Sequence, residues 1–207
     1  MASEMELAEP EPEPEPERER DRRELLRRGL GLGGAAFAAA SIPLLWSVRN
    51  AFAQDDTDGT ILASAITLER VTVIAYDSVL TRGVLTPGTR DVLRGFRAHE
   101  QQHVDVLTTA LTDLGGSPPA ETQGVADVDE VAKGLGAVRS QAAAIRFLID
   151  LEMAAVAAYF DAHSKLGEAK LLQTGASIMA NEGQHLAVLR SIARQDPVPN
   201  AFETGAK

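Results

Sequence analysis

The sequence predicts an all-α domain, a four-helix bundle with a long crossover between helices 2 and 3. Three observations carry this. Aromatic residues are only 4 % of the chain, and Ala, Leu and Val supply most of the apolar content, a mix that favours helix over strand. Four stretches repeat apolar residues at helical spacing. Two short breaks and one long one separate them, so helices 1 and 2 pair, helices 3 and 4 pair, and a crossover joins the pairs.

Residues 1–53 stand apart from the domain at 54–207. Residues 9–17 alternate Glu and Pro, a pattern that cannot bury a core. Asp21-Arg22-Arg23-Glu24 follows, then a soft apolar run from Gly29 to Trp46 interrupted by Pro43, then Ala51-Phe52-Ala53. Adjacent arginines, a weakly apolar stretch and a small-x-small ending resemble a bacterial twin-arginine export signal. Asp21 departs from the Ser or Thr usual before the arginines. The resemblance implies the twin-arginine translocation machinery as a partner and a mature domain outside the cytoplasmic membrane, in the periplasm or beyond. The alternative is a retained anchor, since the 18 residues of the run just suffice to span a bilayer.

The first helix is expected over 60–82, where Leu62, Ala65, Ile66, Val73, Tyr76 and Leu80 form a stripe that also contains Glu69. Arg82-Gly83 ends it and Thr86-Pro87-Gly88 opens the second, over 89–114, which closes at Gly115-Gly116. Residues 116–136 read as irregular, with a weak short helix at Asp127–Lys133. The third helix is expected over 137–166 with a break at Gly167, the fourth over 168–194 with a stop at Asp196-Pro197, and a tail to Lys207.

Helix 2 carries Glu100-Gln101-Gln102-His103, and helix 4 carries Glu182-Gly183-Gln184-His185. A carboxylate and an imidazole three residues apart share one helix face. The two motifs use half of the four histidines, which sets them above chance matches. Helices 1 and 3 each add one Glu on the apolar stripe, Glu69 and Glu152, each followed seven residues later by a Tyr, Tyr76 and Tyr159. The halves are offset by 83 between Glu69 and Glu152, and by 82 between Glu100 and Glu182 and between His103 and His185. This is an internal repeat of a helical hairpin. Glu69 and Glu100 each lie about 15 residues from the first turn, roughly 23 Å at the helical rise, and so meet at one height; Glu152 and Glu182 stand likewise about Gly167.

Four carboxylates in an apolar core repel one another, and each costs several kcal/mol in desolvation. Two divalent cations neutralise them. Carboxylate with imidazole suits Fe, Mn or Zn and is unlike an all-oxygen calcium site. With no Cys, thiolate sites, Fe–S clusters and disulfides drop out, and a formal charge of −10 gives no sign of a nucleic-acid partner.

At these residues the chain resembles the ferritin-like di-iron carboxylate superfamily: one Glu, then Glu-x-x-His, then one Glu, then Glu-x-x-His. The resemblance spans about residues 58–194 and implies that Glu100 and Glu182 bridge two Fe ions (Mn as the alternative). It makes Glu69 and Glu152 terminal ligands, with His103 and His185 each on one metal. It implies redox chemistry with dioxygen or hydrogen peroxide. Two other readings stand beside it: metal storage, which needs a many-subunit shell of which the sequence gives no sign, and a stress or scaffold bundle that metal merely stabilises. A decayed site, its charges held by arginines, is the bland alternative. For Tyr76 and Tyr159 the choices are core packing or a catalytic place beside the site, hydrogen-bonded to a carboxylate on a neighbouring helix. His99, about 100° off the Glu100 face, is expected at the surface or at its boundary with the core, His163 as structural, Arg94 and Arg97 as solvated. The oligomeric state is left open.

Cleavage after Ala53 is expected, leaving Gln54 first. Changing Arg22 and Arg23 to Lys should block export. An exported form whose intact mass still includes residues 1–53 refutes the cleavage.

Overall fold

In a computed structural model, residues 57–121, 124 and 134–205 are described. The export segment expected at 1–53 and the short helix expected at Asp127–Lys133 lie outside the described residues. Four long helices and one turn of 3-10 helix make up the regular structure of the described residues, with no strand among them: α1 Asp58–Thr81, α2 Pro87–Asp113, the turn Leu135–Ala137, α3 Gln141–Ala162 and α4 Ala169–Ile192. The all-α four-helix bundle read from the sequence is what forms.

Each boundary has a local cause. α1 ends where Gly83 takes a left-handed φ of 70°, a conformation that glycine adopts without steric cost. α2 starts with Pro at its first position, where the missing N–H is no loss. The N–H of Thr86 just before it is held by Gln141 Oε1 at 2.7 Å, which ties the start of α2 to the start of α3. The third helix is shorter than expected at both ends. Ser140 caps it, its hydroxyl accepting from the Ala143 N–H at 3.2 Å, so the chain before it is extended and the first helical residue is Gln141. At the other end Leu166 N–H folds back to the Ala162 carbonyl at 3.0 Å, closing a turn before Gly167. Asp58, in the first turn of α1, accepts from the N–H groups of Gly167 at 2.9 Å and Glu168 at 3.1 Å. One carboxylate thus serves two helix starts, where the positive end of the helix dipole favours it.

α1 packs chiefly on α2, and α3 on α4; α1 also meets α3, and α2 meets α4. Two apolar clusters fill the interior. One contains Leu68, Tyr76, Leu93, Leu148 and Leu186; the other contains Leu62, Ile66, Leu107, Tyr159 and Ile178. On α2 the step from Leu93 to Leu107 passes through Glu100 and His103. On α4 the step from Ile178 to Leu186 passes through Glu182 and His185. On both helices the charged layer therefore has apolar core on either side of it along the axis. By length and composition α1 could cross a membrane, yet most of it is buried inside the bundle, so its apolar character is accounted for by core packing.

The segment after α4 is not a loose tail. Arg190, buried, pairs with Glu203 at 2.7 Å, and Glu203 also accepts the Gly205 N–H at 3.0 Å. Gly205 has φ 68° and sits so close to α3 that a Cβ there would overlap the Met153 carbonyl and the Ala157 amide nitrogen. Gly205→Ala should therefore cost about 1–3 kcal/mol in strain or release the strap. Gly95→Ala, at an exposed site in α2 with open space around it, should gain roughly 0.5–1 kcal/mol. Urea unfolding of the two variants checks the contrast; equal midpoints would mean that Gly205 does not dock on α3.

Candidate metal centre

Each of the four helices carries one Glu into the interior at the same level. Glu69, Glu100, Glu152 and Glu182 have no exposed surface, and His185 and His103 show 1 % and 8 %. The helical repeat explains the placement: Glu100 and His103 lie on one face of α2, Glu182 and His185 on one face of α4, while Glu69 and Glu152 continue the apolar stripes of α1 and α3. All six residues singled out as ligands from the sequence meet here.

They fall into two groups of four donors. Glu69, Glu100, His103 and Glu182 form one; Glu100, Glu152, Glu182 and His185 form the other. Glu100 and Glu182 belong to both. His103 Nδ1 lies 3.0 Å from Glu182 Oε1, 3.4 Å from Glu100 Oε2 and 3.5 Å from Glu69 Oε2. His185 Nδ1 lies 3.0 Å from Glu100 Oε1, 3.2 Å from Glu182 Oε2 and 3.4 Å from Glu152 Oε1. Yet both nitrogens, all four oxygens of Glu100 and Glu182, Glu69 Oε2 and Glu152 Oε2 have no hydrogen-bond partner. The atoms are near one another but not aimed at one another. Donors at about 2.1 Å from a shared ion, at tetrahedral or octahedral angles, stand roughly 3.0–3.4 Å apart. The observed spacings of 3.0–3.5 Å are close to this range, so each group of donors fits a metal ion. Among the described residues no Lys or Arg pairs with any of the four carboxylates, which removes the arginine-held alternative there.

The two tyrosines cross between the halves. Tyr76 of α1 donates its hydroxyl to Glu152 Oε1 on α3, and Tyr159 of α3 donates to Glu69 Oε1 on α1. Each Tyr is buried and holds one oxygen of the single Glu on the other half. Burial and the neighbouring carboxylate, Glu152 for Tyr76 and Glu69 for Tyr159, keep both phenols protonated well above their usual range. They are thus fixed donors that orient the carboxylates of Glu152 and Glu69.

In the metal-free protein the cluster takes up protons. Burial, then the charges of Glu182 and Glu100, push Glu69 well above the carboxylate range. Burial and Glu182 push Glu152 up to about 8. Burial alone disfavours the charged imidazoles, but the surrounding carboxylates outweigh it and raise both His103 and His185 to about 12. For Glu182, burial and Glu100 act upward and the contacts with His103 and His185 reverse them, leaving it lowered.

One residue of this centre escaped the sequence reading. His99 is half-buried, as a boundary residue should be, but its Nδ1 lies 3.0 Å from His185 Nε2. Phe96 covers the same imidazole, ring centroids 4.1 Å apart. The available signal was the four-residue spacing of His99 and His103, which puts both on one side of α2; adjacency to Glu100 hid it. Arg94 pairs with Asp91 and Arg97 with Asp77 at the surface, as solvated residues do. His163 donates from Nδ1 to the Tyr159 carbonyl at 2.6 Å, a structural role at the end of α3.

A family model described as the ferritin-like domain matches residues 55–195. Among solved structures, a conserved hypothetical protein from Mycobacterium tuberculosis is similar, with a TM-score of 0.58 and 17 % identity, covering 76 % of this chain and 99 % of that one; the likeness is one of fold. No curated protein matches the chain.

The proton uptake sets a pH dependence for chelator-stripped protein. Glu152 has a folded pKa near 8 against 4.5 unperturbed, so its contribution is full below about 4.5 and is lost as pH rises through 8. The two imidazoles act with the same sign, full below 6.5 and lost on the way to about 12. The metal-free Tm should therefore rise on acidification from pH 8 to pH 5. In the metal-loaded form protons compete with the ions, and the Tm should fall over the same range. A melting series at both pH values, with and without metal, checks the change of sign.

Proposed function

We propose, since this chain belongs to the ferritin-like domain family, that it holds two iron ions, with manganese as the alternative, and carries out redox chemistry with dioxygen or hydrogen peroxide outside the cytoplasmic membrane. The observation that carries the reading is the sharing of Glu100 and Glu182 between two four-donor groups. In this reading Glu69, Glu100, His103 and Glu182 would hold one ion, and Glu100, Glu152, Glu182 and His185 the other. Four carboxylate charges against two divalent ions leave the buried layer neutral.

The surroundings favour oxygen chemistry over hydrolysis. Hydrolytic sites need a spare general base and donors for an oxyanion or a phosphoryl group. Here all four carboxylates belong to the donor groups, and no Lys or Arg among the described residues pairs with them. Beside Tyr159 lies an apolar cavity of about 20 Å³, walled by Leu62, Ala65, Leu107, Ala158 and Leu171 among others. Such a wall suits a small uncharged molecule better than water, which needs polar partners. The bound metals would supply the electrons. The chain's own part is to hold Glu69 and Glu152 through Tyr159 and Tyr76 and to keep bulk water out. Support for export comes from the arginine pair, the soft apolar run and the Ala-x-Ala ending at residues 21–53.

Protein purified from its exported location should contain two metal ions per chain. Glu182→Ala should lower the metal content well below that of Glu168→Ala, since Glu168 stands at the N-cap position of α4, away from the cluster. Equal metal content in the two variants overturns the ligand assignment. Stopped-flow absorbance of the ferrous or manganous protein should change on mixing with oxygen or peroxide. If neither oxidant alters the spectrum while two metals stay bound, the redox reading fails and a structural role for the metals replaces it.

A further inference from the structure

We infer that His99 is a positioning residue for the metal centre. Its Nδ1 accepts the Nε2 proton of His185, which leaves His185 Nδ1 for a metal ion and makes the His185 side the tighter of the two positions. The inference rests on the dinuclear reading above and adds to it an ordering of the two positions.

The argument begins with the two nitrogens of one ring. His185 Nδ1 faces Glu100, Glu152 and Glu182 at 3.0–3.4 Å without a hydrogen bond. Its Nε2 faces His99 Nδ1 at 3.0 Å. A metal donor nitrogen carries no proton, so a neutral His185 must carry its proton on Nε2. Only one proton fits between the two rings, so His99 Nδ1 is the acceptor and the proton of His99 sits on its own Nε2. The two tautomers are set together. A ligating imidazole ordinarily gives its second N–H to a carboxylate, a carbonyl or water; here another imidazole takes that place.

The other half of the repeat lacks this arrangement. The offset of 82 that carries His103 onto His185 carries His99 onto Asn181 and Phe96 onto Ile178. Among the described residues, no side chain accepts a hydrogen bond from His103 Nε2, the nitrogen that corresponds to the one His185 turns to His99. Its ring is also the more exposed, at 8 % against 1 % for His185. His185 is clamped on three sides, by the carboxylates, by the face of Phe96 at 4.1 Å and by His99. A ligand held in its binding geometry before the ion arrives loses less freedom on binding. The two positions, alike in their donors, differ in how firmly the imidazole is held.

The test is a calorimetric titration of the chelator-stripped full chain with cobalt(II), on the parent, His99→Leu and His99→Asn. The parent should bind two ions in two resolved steps. His99→Leu should weaken the tighter step by about 10- to 100-fold and leave the other unchanged. His99→Asn places an amide oxygen where Nδ1 stands and should restore most of the loss, which a mere change of packing would not. Equal weakening of both steps, or none, overturns the inference while leaving the dinuclear reading intact. A parent that binds no cobalt overturns both. Long-range proton–nitrogen NMR of the imidazoles in the metal-free chain gives a readout free of metal: His99 should show a bare Nδ1 and His185 a protonated Nε2. A proton on His99 Nδ1 overturns the assignment directly.

Discussion

The structure is organised by one electrostatic constraint: four carboxylates share a dry layer in the middle of a helical bundle. Each buried charge costs several kcal/mol after relaxation, and a domain of this size is stable by only about 5–15 kcal/mol. Left ionised and uncompensated, the layer would consume the stability that the surrounding apolar core provides. Compensation must come from protons or from cations. The upward shifts of Glu69, Glu152, His103 and His185 show the proton solution. The unpartnered lone pairs, spaced as ligands around a shared ion would be, leave room for the cation solution. With no Arg or Lys among the described partners of these carboxylates, the chain does not use the commoner structural remedy.

The same constraint fixes the register of the helices. Slipping α1 by one residue would turn Glu69 away by about 100° and move it 1.5 Å along the axis, out of reach of both Tyr159 and the donor group. The boundaries serve this register. Asp58 ties the start of α1 to the start of α4, and Thr86 ties the start of α2 to Gln141. The first contact joins the two halves at one end of the bundle. The second joins them at the entry to α2 and α3. Neither touches the charged layer, yet each limits sliding of the helices that bear it.

Much of this was legible in the chain, for a physical reason. A Glu on an otherwise apolar helical stripe is costly unless it has a partner, so Glu69 and Glu152 declare themselves by being out of place. Glu100 with His103 and Glu182 with His185 declare themselves by spacing. The equal heights followed from counting residues to the turns. What stayed hidden was set by contacts between segments distant in sequence. His99 meets His185 across two helices, 86 positions away, and its four-residue spacing from His103 marks only a shared side of α2, not that contact. The docking of Glu203 and Gly205 on Arg190 and α3 was hidden likewise, because a polar segment rich in Pro and Gly reads as loose whether or not it packs. The ends of α3 were misjudged because Ser140 as a cap and the turn at Leu166 override an apolar pattern that continues through both.

The repeat has a consequence for when metal can bind. Each half of the chain contains a Glu, a Glu-x-x-His and a Tyr, a nearly complete set for one ion. The structure does not assemble the halves separately. The first donor group takes Glu69, Glu100 and His103 from one hairpin but Glu182 from the other, and the second takes Glu100 in return. Tyr76 holds Glu152 and Tyr159 holds Glu69, so even the hydrogen bonds are exchanged. Neither hairpin alone has a finished site, and the exchange makes closure of the bundle and completion of the site a single event. Metal affinity then adds to folding stability rather than acting on a preformed half. On the proposed twin-arginine route, which carries folded proteins, that event precedes export. The metal found in the mature protein would then be set by what is available where the chain folds, not where it works.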